Sequence, residues 1–433
     1  MPRLGTYLQC SAYIFLLSFK PSEPHLSAYL EEVKHLTKHQ RDAEVYTVFT
    51  YASLVVVSLV AALKLHTLHT PMKGISDKAL ILFGCAARLA TRLLLLWGDS
   101  LLAMQLMQVA YSVGLLGEMA FYAYCLKVIP GHGPKLVAVV QGAYLVSHTA
   151  TGFLGDWLLR YTDIGLMGLM WISFFAVLAA FLIALSFRSL KDESGPLVFS
   201  RKALLRAAYR SRSFWLSTAW WTLSYPSYMT IFGYESSLYA DQDFVHDNNG
   251  AIFAVALLAG AGASLLLSWE SVDLRAAARP LHSLLACSLM LVAAMAAMSW
   301  QGSSEWVLAS SFTVFFIFWS FANALFYGET RRACDEGVQS LDCEESERVA
   351  AAERVVSVAF MVNSALGTLL NGLVSFITFT CLGWRVEGVY QLLTLCQAAL
   401  TLVVLLLALC STRPEDGDTS SDSSDTPLGR CTS

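Results

Sequence analysis

Residues 188–212, RSLKDESGPLVFSRKALLRAAYRSR, form the longest basic connection in an otherwise apolar chain and divide it in two. Arg188, Lys191, Arg201, Lys202, Arg206, Arg210 and Arg212 cannot sit in hydrocarbon, so this stretch must lie in water beside the membrane surface. The sequence on either side has the opposite character. Crossing roughly 30 Å of hydrocarbon takes about 20 apolar residues in a helix, because only a helix satisfies its own backbone groups there. Before the connection the qualifying runs are Leu4–Phe19, Val45–Leu65, Ala79–Trp97, Leu101–Ile129, Leu136–Leu159 and Gly165–Phe187. After it come Phe214–Tyr239, Ala251–Trp269, Leu281–Trp300, Trp306–Tyr327, Val355–Thr380 and Tyr390–Cys410.

The reading is therefore an all-α membrane protein of 12 transmembrane helices in two six-helix bundles. This 6+6 layout is that of the major facilitator fold, in which two bundles rock about a site near the midplane. The expected organisation is an N-terminal bundle over 1–187, a basic cytoplasmic linker over 188–212, a C-terminal bundle over 213–410 and a disordered cytoplasmic tail over 411–433. That tail is rich in Ser, Thr and Asp and lacks aromatic residues. Leu4–Phe19 has only Arg3 ahead of it and no small-x-small cleavage pattern after it, so it reads as a retained first span.

Composition agrees. With 56% hydrophobic and 14% charged residues and a mean hydropathy of +0.54, lipid must be the main solvent of the 433-residue chain. The net charge of -4 and the scatter of Lys and Arg over short loops leave no nucleic-acid footprint. Six of the ten cysteines lie in or beside apolar runs, where a thiol acts as a small hydrophobe, so disulfides do not organise the fold. With the N-terminus inside, cytoplasmic segments collect 20 basic residues and outer segments 6, which places both termini in the cytoplasm. The cytoplasmic segments include a loop from Glu329 to Arg354. Trp97, Trp157, Trp269, Trp300 and Trp306 at run ends suit the interfacial belt.

An ionisable group inside a transmembrane helix is costly enough that function is its first explanation. Glu118 is the sharpest case. Tyr111, Glu118 and Tyr122 are seven and four residues apart and share one helical face, and a carboxylate among aromatic rings suits a flat organic cation. The competing reading pairs Glu118 with Arg88 or Arg92, which lie one turn apart on the third span, a helix expected outside the cavity. Glu23 is either a solvated loop carboxylate or part of the cavity mouth. His148 reads as a histidine satisfied by a neighbour rather than a proton relay. Pro226 and Gly233 are expected to interrupt the seventh span and expose backbone groups. No phosphate-binding loop, zinc-type spacing or nucleophile elbow occurs, so neither a metal, a cofactor nor an enzymatic activity is expected.

The sequence resembles the reduced-folate and thiamine carrier family of the major facilitator superfamily. The resemblance rests on Phe19 to Leu26, on Val45 to Tyr51, on Lys78 to Tyr124 with Leu101-Leu102-Ala103-Met104-Gln105, and on Trp220-Trp221 to Tyr234. It is strong up to Leu159 and thin after Trp269. It implies a vitamin carrier of the plasma membrane, and charge places it nearer the thiamine branch. Thiamine-transporting relatives carry Glu where Glu118 stands, and folate carriers carry Arg there. Folate carriers also place basic residues where this chain has Phe316 and Asn371. The family has a functional Glu where Glu23 stands. Three departures separate the chain from the thiamine branch: Gln108 for a Glu, Phe49 for a Trp, and Gly233 for an Asn that contacts substrate, a loss for which Glu235 offers compensation.

The expectation is a facilitative or proton-coupled secondary transporter for a small cationic vitamin, thiamine or a thiamine- or pyridoxine-like compound. Its expected substrate-binding residues are Glu118, Glu23, Phe49, Tyr111, Phe121, Tyr122, Tyr228 and Tyr234. Two other readings stand beside it, a reduced-folate carrier that brings Arg88 and Arg92 into the cavity and a receptor or sensor that binds without transport.

Overall fold

A computed structural model describes residues 2–67, 76–129, 133–190, 206, 209, 212–241, 248–268, 280–300, 304–339 and 345–411. Most of the basic linker and the tail from 412 onward lie outside the described residues. Twelve helices of 17 residues or more occur among the described residues. In chain order they are α1 (Pro2–Ser18), α2 (Thr47–Thr67), α3 (Asp77–Trp97), α4 (Leu101–Val128), α5 (Gly133–Tyr161) and α6 (Gly165–Leu185). The second set is α7 (Arg212–Asp241), α8 (Asn249–Ser268), α9 (Pro280–Met298), α10 (Glu305–Gln339), α11 (Glu345–Ser375) and α12 (Val386–Ser411). Eight helical stretches are long and apolar enough to span a membrane, and Leu4–Ser18, Asn249–Ala263 and His282–Met298 are shorter apolar helices. The fold is that of an all-α membrane protein.

Helices α1–α6 pack among themselves, as do α7–α12, and the two sets meet along α2 with α11 and α5 with α8. Small residues make these approaches close, as van der Waals packing within lipid demands. A Cβ on Gly152 of α5 would sit 2.3 Å from the Gly250 carbonyl oxygen of α8. A comparably close approach lies within the first set, where a Cβ on Gly84 of α3 would stand 2.4 Å from Gly117 Cα of α4.

Two local expectations are corrected. Pro226 does not interrupt the seventh span, because α7 runs unbroken from Arg212 to Asp241 with the proline inside it. Packing against α10, α11 and α12 holds the helix through the missing N–H. The stretch from Glu329 to Arg354 is largely helical rather than an extended loop, since α10 continues to Gln339 and α11 begins at Glu345. The ion pairs of Arg331 with Asp335 and Arg332 with Glu336, four residues apart, support the extension of α10.

The two sets are fastened at the end carrying the α1–α2 connection. There Ser27 bonds Ser236 at 2.7 Å, Ser237 donates to Asp42 at 2.9 Å and Tyr234 donates to the Asp42 carbonyl. Asp156 of α5 accepts from Gly250 N at 3.0 Å and Ala251 N at 2.6 Å, capping α8 from the other half. One apolar cluster joins both halves at this end, through Tyr29, Tyr46 and Met104 on one side and Tyr234 and Phe379 on the other. Further along the axis each half keeps its own cluster, one around Tyr13, Phe121 and Phe187 and one around Phe214, Cys334 and Val355.

Candidate substrate cavity

Between the halves lies a cavity of about 450 Å³, within the range of small-molecule sites. Its charged walls are Lys20, Glu23, Arg88, Glu118 and Glu235, with His148 beside them. Its rings are Tyr46, Phe49, Tyr111, Tyr144, Tyr225, Tyr228, Phe232, Tyr234 and Phe253.

The polar side of the first half grows from the α3–α4 contact. Because Gly84 and Gly117 bring the two backbones together and Gly114 has no Cβ, the Arg88 side chain lies across Gly114, where a Cβ would be 2.5 Å from Nε. Arg88 thereby reaches Glu118, and Nη2 donates to Oε1. Its guanidinium also covers the Tyr111 ring, 3.7 Å from the centroid. One turn along α3, Arg92 takes the other carboxylate, with Nη2 2.8 Å from Glu23 Oε2 and Nη1 3.3 Å from Ser22 Oγ. Tyr111 closes the set by donating to Glu23 Oε1 at 2.9 Å while accepting from Lys20 at 3.3 Å. Burial works against the Glu23 charge, but Lys20 and Arg92, with hydrogen bonds from Arg92 and Tyr111, hold its carboxyl well below the usual carboxylate range.

The pairing of Glu118 with Arg88 is the outcome in which a neighbouring helix supplies the counterion. It does not seal the carboxylate away. The Glu118 side chain keeps 32% of its exposure and lines the cavity, whereas Arg88 keeps 6%. The expectation that the third span stays outside the cavity is corrected for Arg88, which lines it. Arg92 is not among the lining residues and stays behind Glu23.

Of the eight residues expected from sequence, Glu118, Glu23, Phe49, Tyr111, Tyr228 and Tyr234 line the cavity. Phe121 and Tyr122 do not. Phe121 points away from the Glu118 face and is fully buried against Tyr13 and Phe187. Tyr122 shares that face but sits one turn beyond Glu118, where its hydroxyl donates to Gln141 of α5 at 2.9 Å. Helical periodicity fixes the face and says nothing about how far along the axis the cavity reaches. In the second half Tyr228 stacks on Trp319 with centroids 4.7 Å apart, and Tyr234 stacks on Phe379 at 4.8 Å. His148 packs on Tyr144 at 4.4 Å. Sequence reasoning missed Lys20, in the connection after α1, and Tyr144, Ser364 and Thr368, whose residue types on apolar helices carry no distinctive spacing. The signal available for Arg88 was the pair of small residues Gly114 and Gly117 just before Glu118.

The family model described as reduced folate carrier matches residues 4–204. Thiamine transporter 1 of Mus musculus is 27% identical over 384 residues, covering 72% of this chain and 74% of the relative. Thiamine transporter 1 of Homo sapiens is 32% identical over 183 residues, covering 42% of this chain and only 35% of the relative. The reduced folate transporter of Rattus norvegicus is 26% identical over 195 residues, 45% of this chain and 36% of that relative. Among solved structures, the nucleoside transporter NupG has a TM-score of 0.60 at 11% identity, covering 93% of this chain and 98% of that one. A D-xylose-proton symporter has a TM-score of 0.58 at 11% identity, with 93% and 97% covered. These structures establish the transporter fold and nothing of the substrate. Over its first half the chain is thus similar to the reduced folate carrier family, its curated relatives include thiamine and reduced folate transporters, and its fold is shared with membrane transporters.

Proposed function

We propose that the protein is a secondary transporter that moves a small cationic vitamin, thiamine or a close relative of it, across the plasma membrane by alternating access. The observation that carries this reading is the cavity wall. Its Lys and Arg side chains number two and its carboxyl groups three, and these stand among aromatic rings. Glu118 and Glu23 offer carboxylate oxygens, while Phe49, Tyr111, Tyr228 and Tyr234 offer ring faces. The thiamine transporters among the relatives support the same substrate class. With both termini in the cytoplasm, as the basic residues of the loops suggest, the fastened end faces outward and the cavity is closed on that side.

Reduced folates are the second reading, favoured by the presence of Arg88 and Lys20 on the cavity wall. Those two cations are already engaged, Arg88 by Glu118 and Lys20 by Glu23, and Arg92 stays behind Glu23. Cells expressing the chain are therefore expected to accumulate labelled thiamine in preference to labelled folate. Folate uptake without thiamine uptake sinks the proposal, and thiamine binding by the purified protein without flux into liposomes sinks the transport step.

A further inference from the structure

The carboxylates near the cavity are not equivalent. Glu23 and Glu118 each share their charge with an arginine of α3. Asp156, behind the cavity, is committed to the backbone N–H groups that open α8 and lies 3.0 Å from His25 Nε2. Glu235 differs from all three. It lines the cavity from α7, is only 5% exposed, and its Oε1 has no hydrogen-bond partner. Among the described residues no Lys, Arg or His stands within ion-pair distance of it. The titratable groups acting on it are Tyr239 one turn along α7, Tyr390 of α12 and Asp156 of α5, and none is a cation.

We infer that Glu235 is the cation-binding and specificity-determining residue, the cavity carboxyl with no cationic partner among the described residues, which receives the positively charged ring of the transported molecule as its counterion. The inference rests on the cation reading above. Withdrawing a carboxylate from water is costly unless a counterion meets it. A substrate cation at Glu118 or Glu23 shares a carboxylate already paired with an arginine, whereas a cation at Glu235 meets no competing cation. Space is available beside it, since Gly233 also lines the cavity and a Cβ there would meet no atom within 4 Å. Tyr228, Phe232 and Tyr234 flank that space with ring faces for a flat cation. Glu118 and Glu23, their charges already met by Arg88 and Arg92, then orient polar groups elsewhere on the substrate.

The test measures uptake of labelled thiamine, and its inhibition by a neutral analogue with a phenyl ring in place of the thiazolium. Wild type, Glu235→Gln, Glu235→Asp and Glu118→Gln are compared at equal surface abundance. The expected result is a rise in KM of tenfold or more for Glu235→Gln, partial recovery in Glu235→Asp and a smaller effect in Glu118→Gln. Wild type should prefer the cation to the neutral analogue, and Glu235→Gln should lose that preference, which a merely structural role would leave intact. If Glu235→Gln does not reach the surface, Glu235→Asp carries the test through the same preference. A wild-type KM and preference in the Glu235 variants overturns the inference, as does a larger effect from Glu118→Gln. Loss of pH dependence at unchanged KM also overturns it, because the carboxylate then holds a proton instead of the substrate. Wild-type protein that takes up no thiamine overturns the cation reading first and this inference with it.

Discussion

Substituting Gly84 by alanine tests the way the cavity's ion pair is built. A Cβ at position 84 would lie 2.4 Å from Gly117 Cα and 2.5 Å from Gly117 N, and both are backbone atoms that no rotamer change can move. Restoring ordinary contact at 3.4 Å or more requires α3 and α4 to separate by about 1 Å. Overpacking of this kind costs about 1–3 kcal/mol. Alanine's greater helix propensity returns at most about 1 kcal/mol. Gly84→Ala should therefore lower the Tm of the detergent-solubilised protein and reduce uptake, because the same separation pulls Arg88 away from Glu118. Gly262→Ala on α8 is the control, since a Cβ there meets nothing within 4 Å, and it should leave Tm unchanged or raise it. Equal Tm values for the two variants would refute the claim that close backbone approach sets this contact.

The other expectations follow from the same geometry. Phe121→Ala should destabilise the protein by about 3–5 kcal/mol, the usual cost of emptying a buried aromatic site, while protein that reaches the membrane keeps its thiamine KM. Tyr122→Phe should leave KM unchanged, because the hydroxyl meets Gln141 outside the cavity. Asp156→Ala removes a cap worth about 1 kcal/mol from the contact between the halves. Its expected signature is faster reaction of a cysteine placed at Ser27 with an impermeant thiol reagent added outside; an unchanged rate would show that the contact does not hold this end shut. Because the Glu23 carboxyl is held below its usual range in the folded protein, the stability it contributes is fully present above the unfolded value near about 4 and is lost only as pH falls through the folded value. Glu23→Gln should thus lower Tm by the same amount at pH 6 and pH 8, and a difference that grows between them would contradict the assignment.

Much of this molecule was legible in its residues. Hydropathy and the basic connection at 188–212 led to twelve helices in two sets, because the hydrocarbon thickness sets span length regardless of how the helices later pack. Residue type and helical spacing brought Glu118 and Tyr111 into view, since an unneeded charge in lipid is not tolerated, and the family resemblance added Phe49 and gave weight to Glu23. Tertiary structure alone decided which charge meets which. Whether Glu118 faces a substrate or Arg88 turns on the absence of side chains at Gly84, Gly114 and Gly117, which is a matter of ångströms between two helices rather than of any pattern along one. Depth was equally hidden: Tyr122 lies on the expected face and Phe121 off it, yet both fall outside the cavity, because periodicity records angle about an axis and the reach of a cavity depends on where neighbouring helices close over it.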